Sequence, residues 1–329
     1  MSVSVAQNAV RRAISGPMRA RLGPWVPLCV LVALVLGVGA TDQSFLSPRS
    51  LRTLAAGTAV LLLLATGQTI AIISGRIDLS TAALASLATV LLAVWMPRAG
   101  LAAVLAVVAL CALAGATQGL VHWAAQLPSF VITIGGLFLF SGLSLIASGA
   151  RGIGVPDAQN VVAGLSGSEF TLGLPNSLLF ALAVLVGAAF VLHLTAPGRW
   201  IRAMGVSERA AIMVGIRTPV MMVTIFALTG LFAGLAGLVL MADFSAGRPN
   251  LANTLLLPSI AAVVVGGTAI TGGSGGLTRT LVGALIVQVL RIGINVVGLP
   301  PEYNQILYGV VVILAVALTI DRSKLVVVK

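Results

Sequence analysis

The sequence predicts an all-α polytopic membrane protein of about ten transmembrane helices, with both termini in the cytoplasm. Three observations carry this reading. First, of 329 residues 59% are hydrophobic and 8% charged, whereas a soluble globular chain carries about 25% charged residues. Second, apolar runs recur along the whole chain. Each span needs about 20 largely apolar residues, which leaves room for roughly ten. Third, the basic residues gather in alternate loops, as cytoplasmic loops require. A soluble enzyme, a disordered chain and a secreted disulfide scaffold are poor fits. The net charge of +11 would suggest nucleic acid on a soluble protein. Here it reads as topology, and no nucleic-acid partner is expected.

Residues 1–24 are mostly polar and hold Arg11, Arg12, Arg19 and Arg21, which makes them a cytoplasmic N-terminal segment. A transmembrane domain over 25–320 follows, and residues 321–329 form a cytoplasmic tail. The first apolar run, 25–40, ends in Val38-Gly39-Ala40. It reads as an uncleaved span, with signal-peptide cleavage as the alternative. The further segments are 54–74, 79–96, 101–122, 128–148, 175–195, 219–241, 258–271, 277–297 and 304–320. The first, third, eighth and tenth are short for a full crossing at about 1.5 Å per residue. The eighth runs into Gly266-Gly267 and is the least regular.

With the N-terminus inside, 13 basic residues fall on the inner side against Asp78, Glu208 and Asp321. Five fall outside against Asp42, Asp157, Glu169, Asp243 and Glu302, and Arg291 lies within the ninth segment. The inner side is therefore net +10 and the outer side neutral. Inverting the topology would break the rule, and an even span count is favoured.

Two loops are long enough to carry function. Residues 149–174 lie outside, hold Arg151, Gly152, Gly154, Pro156, Asp157 and Glu169, and show no helical period. Residues 196–218 lie inside and read as one short helix between breakers. Pro197-Gly198 opens the loop, Ser207 is the N-cap, and Gly215 with Thr218-Pro219 closes it.

Much chemistry is missing from the sequence. No Gly-x-x-x-x-Gly-Lys-Ser/Thr phosphate loop occurs, so no ATPase of its own is expected. The glycine cluster 266–276 reads as close helix packing or a tight re-entrant turn. His122 and His193 have no ligand partners at metal spacing, so no metal site is expected. Cys29 and Cys111 lie in apolar runs and read as small hydrophobes. No nucleophile–base set or paired carboxylates appear. The eight acids sit at segment ends or in loops, which weighs against an ion-coupled relay. Arg291 lies within a span, with Gln288 and Asn295 at helical spacing on its face. With Thr133, these are candidates for a translocation path; a structural polar cluster is the bland alternative. Gly115-x-x-x-Gly119 and Gly230-x-x-x-Gly234 fit close helix contacts, weakly in a chain with 37 glycines.

Residues 67–88 include Gly75-Arg76-Ile77-Asp78-Leu79-Ser80. Gly75 ends one helix, and Asp78 or Ser80 caps the next. The stretch resembles the Gly-Gly-Ile-Asp-Leu-Ser signature of ribose/xylose-type permease subunits of bacterial ATP-binding-cassette importers. Arg76 stands where that family usually has its second glycine. Four further stretches agree in order. They are Leu127-Pro128-Ser129-Phe130 with Thr133, then Gly198-Arg199 through Glu208, Ala210, Ala211, Gly215 and Ile216, then Ala261 through Gly266-Gly267-Thr268, and Asn295 through Gly309. Ile212-Met213-Val214 replace a more polar trio, and Arg279 replaces a glycine.

The resemblance implies a non-enzymatic subunit that passes a small sugar or polyol through the bacterial cytoplasmic (inner) membrane. It implies an ATP-binding subunit inside, a solute-binding protein outside and a second permease copy, with membrane lipid around them. No cofactor would sit on this chain, since ATP is used by the partner. Residues 196–218 would couple to the ATPase through Glu208, Ala210, Ala211, Gly215 and Ile216. Residues 149–174, with the segment 243–250, would face the binding protein. An amino-acid importer permease, an ion-coupled secondary transporter and a membrane-embedded enzyme are the alternatives.

Overall fold

Proline opens four of the helices, at the first-turn positions where its missing N–H leaves no bond unmade. The computed structural model describes residues 25–155, 162–166, 170–296, 298, 300 and 302–319. The segments 1–24 and 321–329, and Pro156, Asp157 and Glu169, lie outside the described residues. Helix α1 spans Val26–Thr41, with Pro27 in its first turn. Helix α2 spans Pro48–Ile73 behind the N-cap Ser47, whose hydroxyl accepts from Ser50 N. Then come α3 (Thr81–Ala99), α4 (Leu101–Ala125) and α5 (Ser129–Ser148). After the two-residue strands β1 (Ile153–Gly154), β2 (Phe170–Thr171) and β3 (Leu174–Pro175), helix α6 runs Asn176–Leu194. Two short helices follow, α7 (Ala196–Val206) and α8 (Glu208–Met213). Helix α9 runs Thr218–Phe244, then β4 (Ala246–Gly247), α10 (Leu256–Val265), α11 (Leu277–Val296) and α12 (Tyr303–Thr319).

The all-α polytopic class holds, with short strand pairs confined to loops. Seven helices among the described residues are long and apolar enough to cross a membrane: α2 to α6, α9 and α11. Helices α1, α10 and α12 are apolar but shorter. The eighth segment departs most from expectation. Its helix stops at Val265, and residues 266–276 form turns. Packing explains the stop: a Cβ on Gly266 would lie 2.4 Å from Arg279 O, and Gly267 has φ +91°. At about 1.5 Å per residue, α10 is roughly 15 Å long, about half a hydrocarbon core.

Helix α2 is buried on every side from Thr58 to Ile73. A helix apolar all round belongs in the centre of a bundle. Helix α9 packs against it and against α3 and α4. The two spacing-four glycine pairs meet here. A Cβ on Gly115 would lie 2.0 Å from Phe226 O, and one on Gly230 would lie 2.1 Å from Cys111 O. So α4 and α9 touch backbone to backbone, the close approach that small residues permit. Cys111 is buried at this seam, and Cys29 is exposed on α1. Outward faces of α5 and α6 expose Phe138, Ile146 and Val186, the surface that lipid tails accept.

After Ser245 the chain folds back into the bundle. Strand β4 pairs antiparallel with β1, with Ile153 opposite Gly247 and Gly154 opposite Ala246. The pairing ties the loop after α5 to the segment after α9. Residues 248–255 then lie against α3 at Ser86 and Thr89. Irregular backbone at membrane depth survives only where protein or a cavity satisfies it. Here Arg248 N donates to Thr89 Oγ1 at 3.3 Å, and Ala252 N donates to Ser86 Oγ at 2.9 Å.

Candidate functional sites at the two ends of the bundle

Helix α2 ends at Ile73, and Gly75 (φ +79°) turns the chain toward α3. At this end three backbones converge. A Cβ on Gly205 of α7 would lie 1.9 Å from Ile73 O, and one on Gly272 would lie 2.8 Å from Gly75 N. Gly273 N donates to Ile73 O at 2.8 Å. Arg202 Nη1 donates to Gly275 O at 3.0 Å and fastens α7 to the 266–276 turn.

Arg76 extends from this junction and is 6% exposed. All three guanidinium nitrogens are used. Nη1 donates to Ser74 O at 2.8 Å, Nε to His122 Nε2 at 3.1 Å, and Nη2 to Glu208 Oε2 at 2.8 Å. Because His122 Nε2 accepts, its proton is on Nδ1, 2.6 Å from Leu127 O. Burial pulls the Arg76 pKa down, and the Glu208 carboxylate opposes that.

Asp78 is buried beside this group. Its Oδ1 accepts from Ser80 N at 2.9 Å and Ser80 Oγ at 2.6 Å, and its Oδ2 accepts from Thr229 Oγ1 of α9 at 2.6 Å. Asp78 therefore holds Ser80, the residue before α3, and also bonds across to α9. Gln68 Nε2 donates to Asp78 O. The Ser80 and Gln118 side chains meet at 3.0 Å, and a Cβ on Gly136 would strike Gln118 Nε2. Ile77 N donates to Ser129 Oγ at 3.2 Å, and Leu79 is half-buried. Thr133, grouped by sequence with Arg291, lies at this end, where its hydroxyl donates to Ser129 O at 3.0 Å.

Residues 196–218 hold two helices where the sequence suggested one. Pro197 is tolerated in the first turn of α7, and Gly198 lies inside it because a Cβ there would be 2.2 Å from Leu192 O. Ser207 breaks the pair and caps α8, its hydroxyl accepting from Ala210 N at 3.3 Å. Gly215 (φ +84°) ends α8, with Ile216 N donating to Ala211 O at 3.0 Å. Ala211 faces inward while Ala210 is exposed. Val206, Ile212, Met213 and Val214 are exposed, Met213 at 81%. In the turn after α10, Thr268 is fully buried. A Cβ on Gly275 would lie 2.5 Å from the Thr268 side chain.

The opposite end of α2 borders a cavity of about 880 Å³. Gln288, Arg291 and Asn295 line it together, as their helical spacing suggested. Arg49, Arg52, Thr53, Asp243 and Thr254 line it as well. A Cβ on Gly57 would lie 2.0 Å from Gln288 Nε2, so glycine admits that side chain. The Arg52 guanidinium carbon lies 5.0 Å from the centroid of the Phe170 ring. Sequence reasoning missed Arg49, Arg52 and Asp243 as lining residues. The available signal was two arginines in the first turns of a helix with no acid beside them, against the helix dipole.

Long apolar helices, a clamped pair of short helices at one end and a polar cavity at the other make up a membrane transport subunit. The chain belongs to the family described as branched-chain amino acid transport system / permease component, which matches residues 50–316. It is 32% identical over 300 residues to the ribose import permease protein RbsC of Escherichia coli (strain K12), covering 90% of this chain and 93% of the relative. It is 32% identical over 310 residues to RbsC of Bacillus subtilis (strain 168), covering 92% and 93%. It is 30% identical over 305 residues to the fructose import permease protein FrcC of Rhizobium meliloti, covering 89% and 84%. No solved structure matches the chain. It is thus a multi-pass permease subunit of the cytoplasmic (inner) membrane and of the ATP-binding-cassette importer class, not an enzyme. That class works with an ATPase subunit and a solute-binding protein.

Proposed function

We propose that the chain forms the translocation path for a small sugar or related polyol delivered by its binding protein. The ribose and fructose named for its full-length relatives support the solute class. In this reading ten helices cross or enter the membrane, and the Arg76–Glu208 end faces the cytoplasm. The net +10 of that side supports the orientation. Helices α7 and α8 are the coupling element, with Glu208, Ala210, Ala211, Gly215 and Ile216 shaping the surface that meets the ATPase. The observation that carries this assignment is the exposed apolar group on α8, presented away from the spans and clamped to the bundle through Arg76. An apolar patch on a water-facing helix marks a partner surface. The cavity at the other end receives the solute, with Gln288, Arg291 and Asn295 on its wall. Residues 149–174 and the segment 243–250 face the binding protein. A second permease copy, identical or paralogous, completes the path within the lipid bilayer.

The test is reconstitution with the ATPase and binding protein in proteoliposomes. Binding protein loaded with its sugar or polyol is expected to stimulate ATP hydrolysis and drive uptake of that solute. Uptake that runs on an ion gradient without the ATPase would sink the proposal.

A further inference from the structure

The cavity at the N-terminal end of α2 has an unusual charge. Among the described residues, three guanidiniums, from Arg49, Arg52 and Arg291, line it with one carboxylate, Asp243. Arg49 and Arg52 occupy the first turns of α2, where the helix itself presents a positive end and no acid offsets them. Arg291 adds its charge from α11, with Gln288 and Asn295 as hydrogen-bonding neighbours. Phe170 lies against Arg52 at 5.0 Å. That contact fixes the guanidinium plane and leaves its edge donors for a ligand. Arginines on the outer side also run against the positive-inside preference, so topology does not account for them. A concave, low-dielectric wall focuses such a field into the space it encloses. A volume of about 880 Å³ is of the size that small-molecule sites have.

From this we infer that the cavity is an anion site, which takes the carboxylate or phosphate of a sugar acid or phosphorylated polyol. The inference rests on the import reading above and narrows its solute class. A neutral sugar would leave the positive charge in excess of Asp243 without a counter-charge. A carboxylate or phosphate matches the forked geometry of guanidinium, with two parallel bonds to a single arginine. Lipid phosphate has the same chemistry, so the test separates the two sources.

The full chain in phosphatidylcholine nanodiscs is probed by saturation-transfer NMR with D-ribose, D-ribonate and D-ribose 5-phosphate. Ribonate and ribose 5-phosphate are expected to give at least fivefold more transfer than ribose. Arg52→Gln and Arg291→Gln are each expected to reduce that excess at least threefold, with thermal unfolding midpoints unchanged. Rising salt is expected to weaken binding of the anions and not of ribose. Equal transfer for ribose and ribonate overturns the inference, as does an anion signal that both variants leave intact. Native mass spectrometry after exchange into phosphatidylglycerol nanodiscs gives the other arm. Phosphatidylglycerol retained by the wild type and lost in both variants, with no ribonate signal, assigns the site to lipid and overturns the solute claim. ATPase stimulation by loaded binding protein is measured separately on the complex. Its absence removes the import reading, while the NMR result still decides whether the cavity binds anions.

Discussion

Arg76 Nη2 lies 2.8 Å from Glu208 Oε2 and joins the α2–α3 turn to the first residue of α8. Arg76 stands at the position where the ribose/xylose-type signature has a glycine. Its partner is 132 positions away, in the loop between α6 and α9. The departure is thus absorbed by a contact between two of the segments that carry the resemblance. Glu208→Ala leaves a buried guanidinium with two of its three partners. A stability loss of about 1–3 kcal/mol is expected from the partly orphaned donor. Exchanging the pair, Arg76→Glu with Glu208→Arg, should recover part of that loss and part of the ATPase stimulation. A double-mutant cycle on thermal unfolding checks the pair. Additive single effects would show that the two residues act independently.

Gly215→Pro should uncouple transport without unfolding the bundle. Gly215 N donates to Ile212 O at 2.9 Å, and its φ of +84° is closed to proline. The end of α8 should loosen while α2 and α9 stay packed. ATPase stimulation by loaded binding protein is expected to fall at least tenfold with the unfolding midpoint nearly unchanged. Stimulation at the wild-type level would place coupling elsewhere.

The α4–α9 seam should not tolerate a side chain. Gly230→Ala puts a Cβ about where Cys111 O already is, at 2.1 Å. Gly115→Ala meets Phe226 O at 2.0 Å. Both should lower the yield of folded protein sharply. Gly135→Ala is the control, because nothing lies within 4 Å of its Cβ position. Detergent-solubilised size-exclusion profiles would show the contrast.

Asp78→Ala should destabilise the start of α3 and its bond to α9 together. Ser80 N loses its acceptor inside the protein, and the Thr229 hydroxyl is left with Phe226 O alone, without its tie to α3. The buried orphan costs about 1–3 kcal/mol. Asp78→Asn keeps an acceptor for one of them and should be milder. Unfolding followed by intrinsic fluorescence would rank the two.

Ser86→Ala combined with Thr89→Val should release the 248–255 fold-back while leaving α3 intact. Ala252 N and Arg248 N would each lose a partner. A cysteine introduced at Asn250 should then react faster with a water-soluble maleimide. An unchanged rate would mean that the β1–β4 pairing alone holds the segment.

Most of the spans were legible because burying about 20 apolar residues leaves a plain mark in sequence. Helix α2 reaches six residues upstream of its apolar run because Ser47 and Pro48 start it in a polar stretch. Helix α10 is shorter than its apolar run because Gly266 must pass Arg279 closely, a tertiary demand. Helix α7 was hidden because Pro197 and Gly198 read as breakers, while one is in a first turn and the other at a close approach. The glycine pairs were visible as motifs, but only packing shows that they form the two halves of one contact. The cavity face of α11 followed from helical period, as Gln288, Arg291 and Asn295 show. Its other wall comes from Arg49 and Arg52, more than 230 positions earlier, and no local pattern joins them.

The meeting of Gly75, Gly205 and Gly272 has a mechanical consequence. Contacts between side chains are compliant, since rotamers turn and methylenes shift before a backbone moves. This contact has no side chains, and Gly273 N is bonded directly to Ile73 O. A displacement of α7 by a partner would therefore reach α2 with little slack. Helices α2 and α7 form a stiff linkage, and its lever arm is the length of α2, about 39 Å at the usual rise.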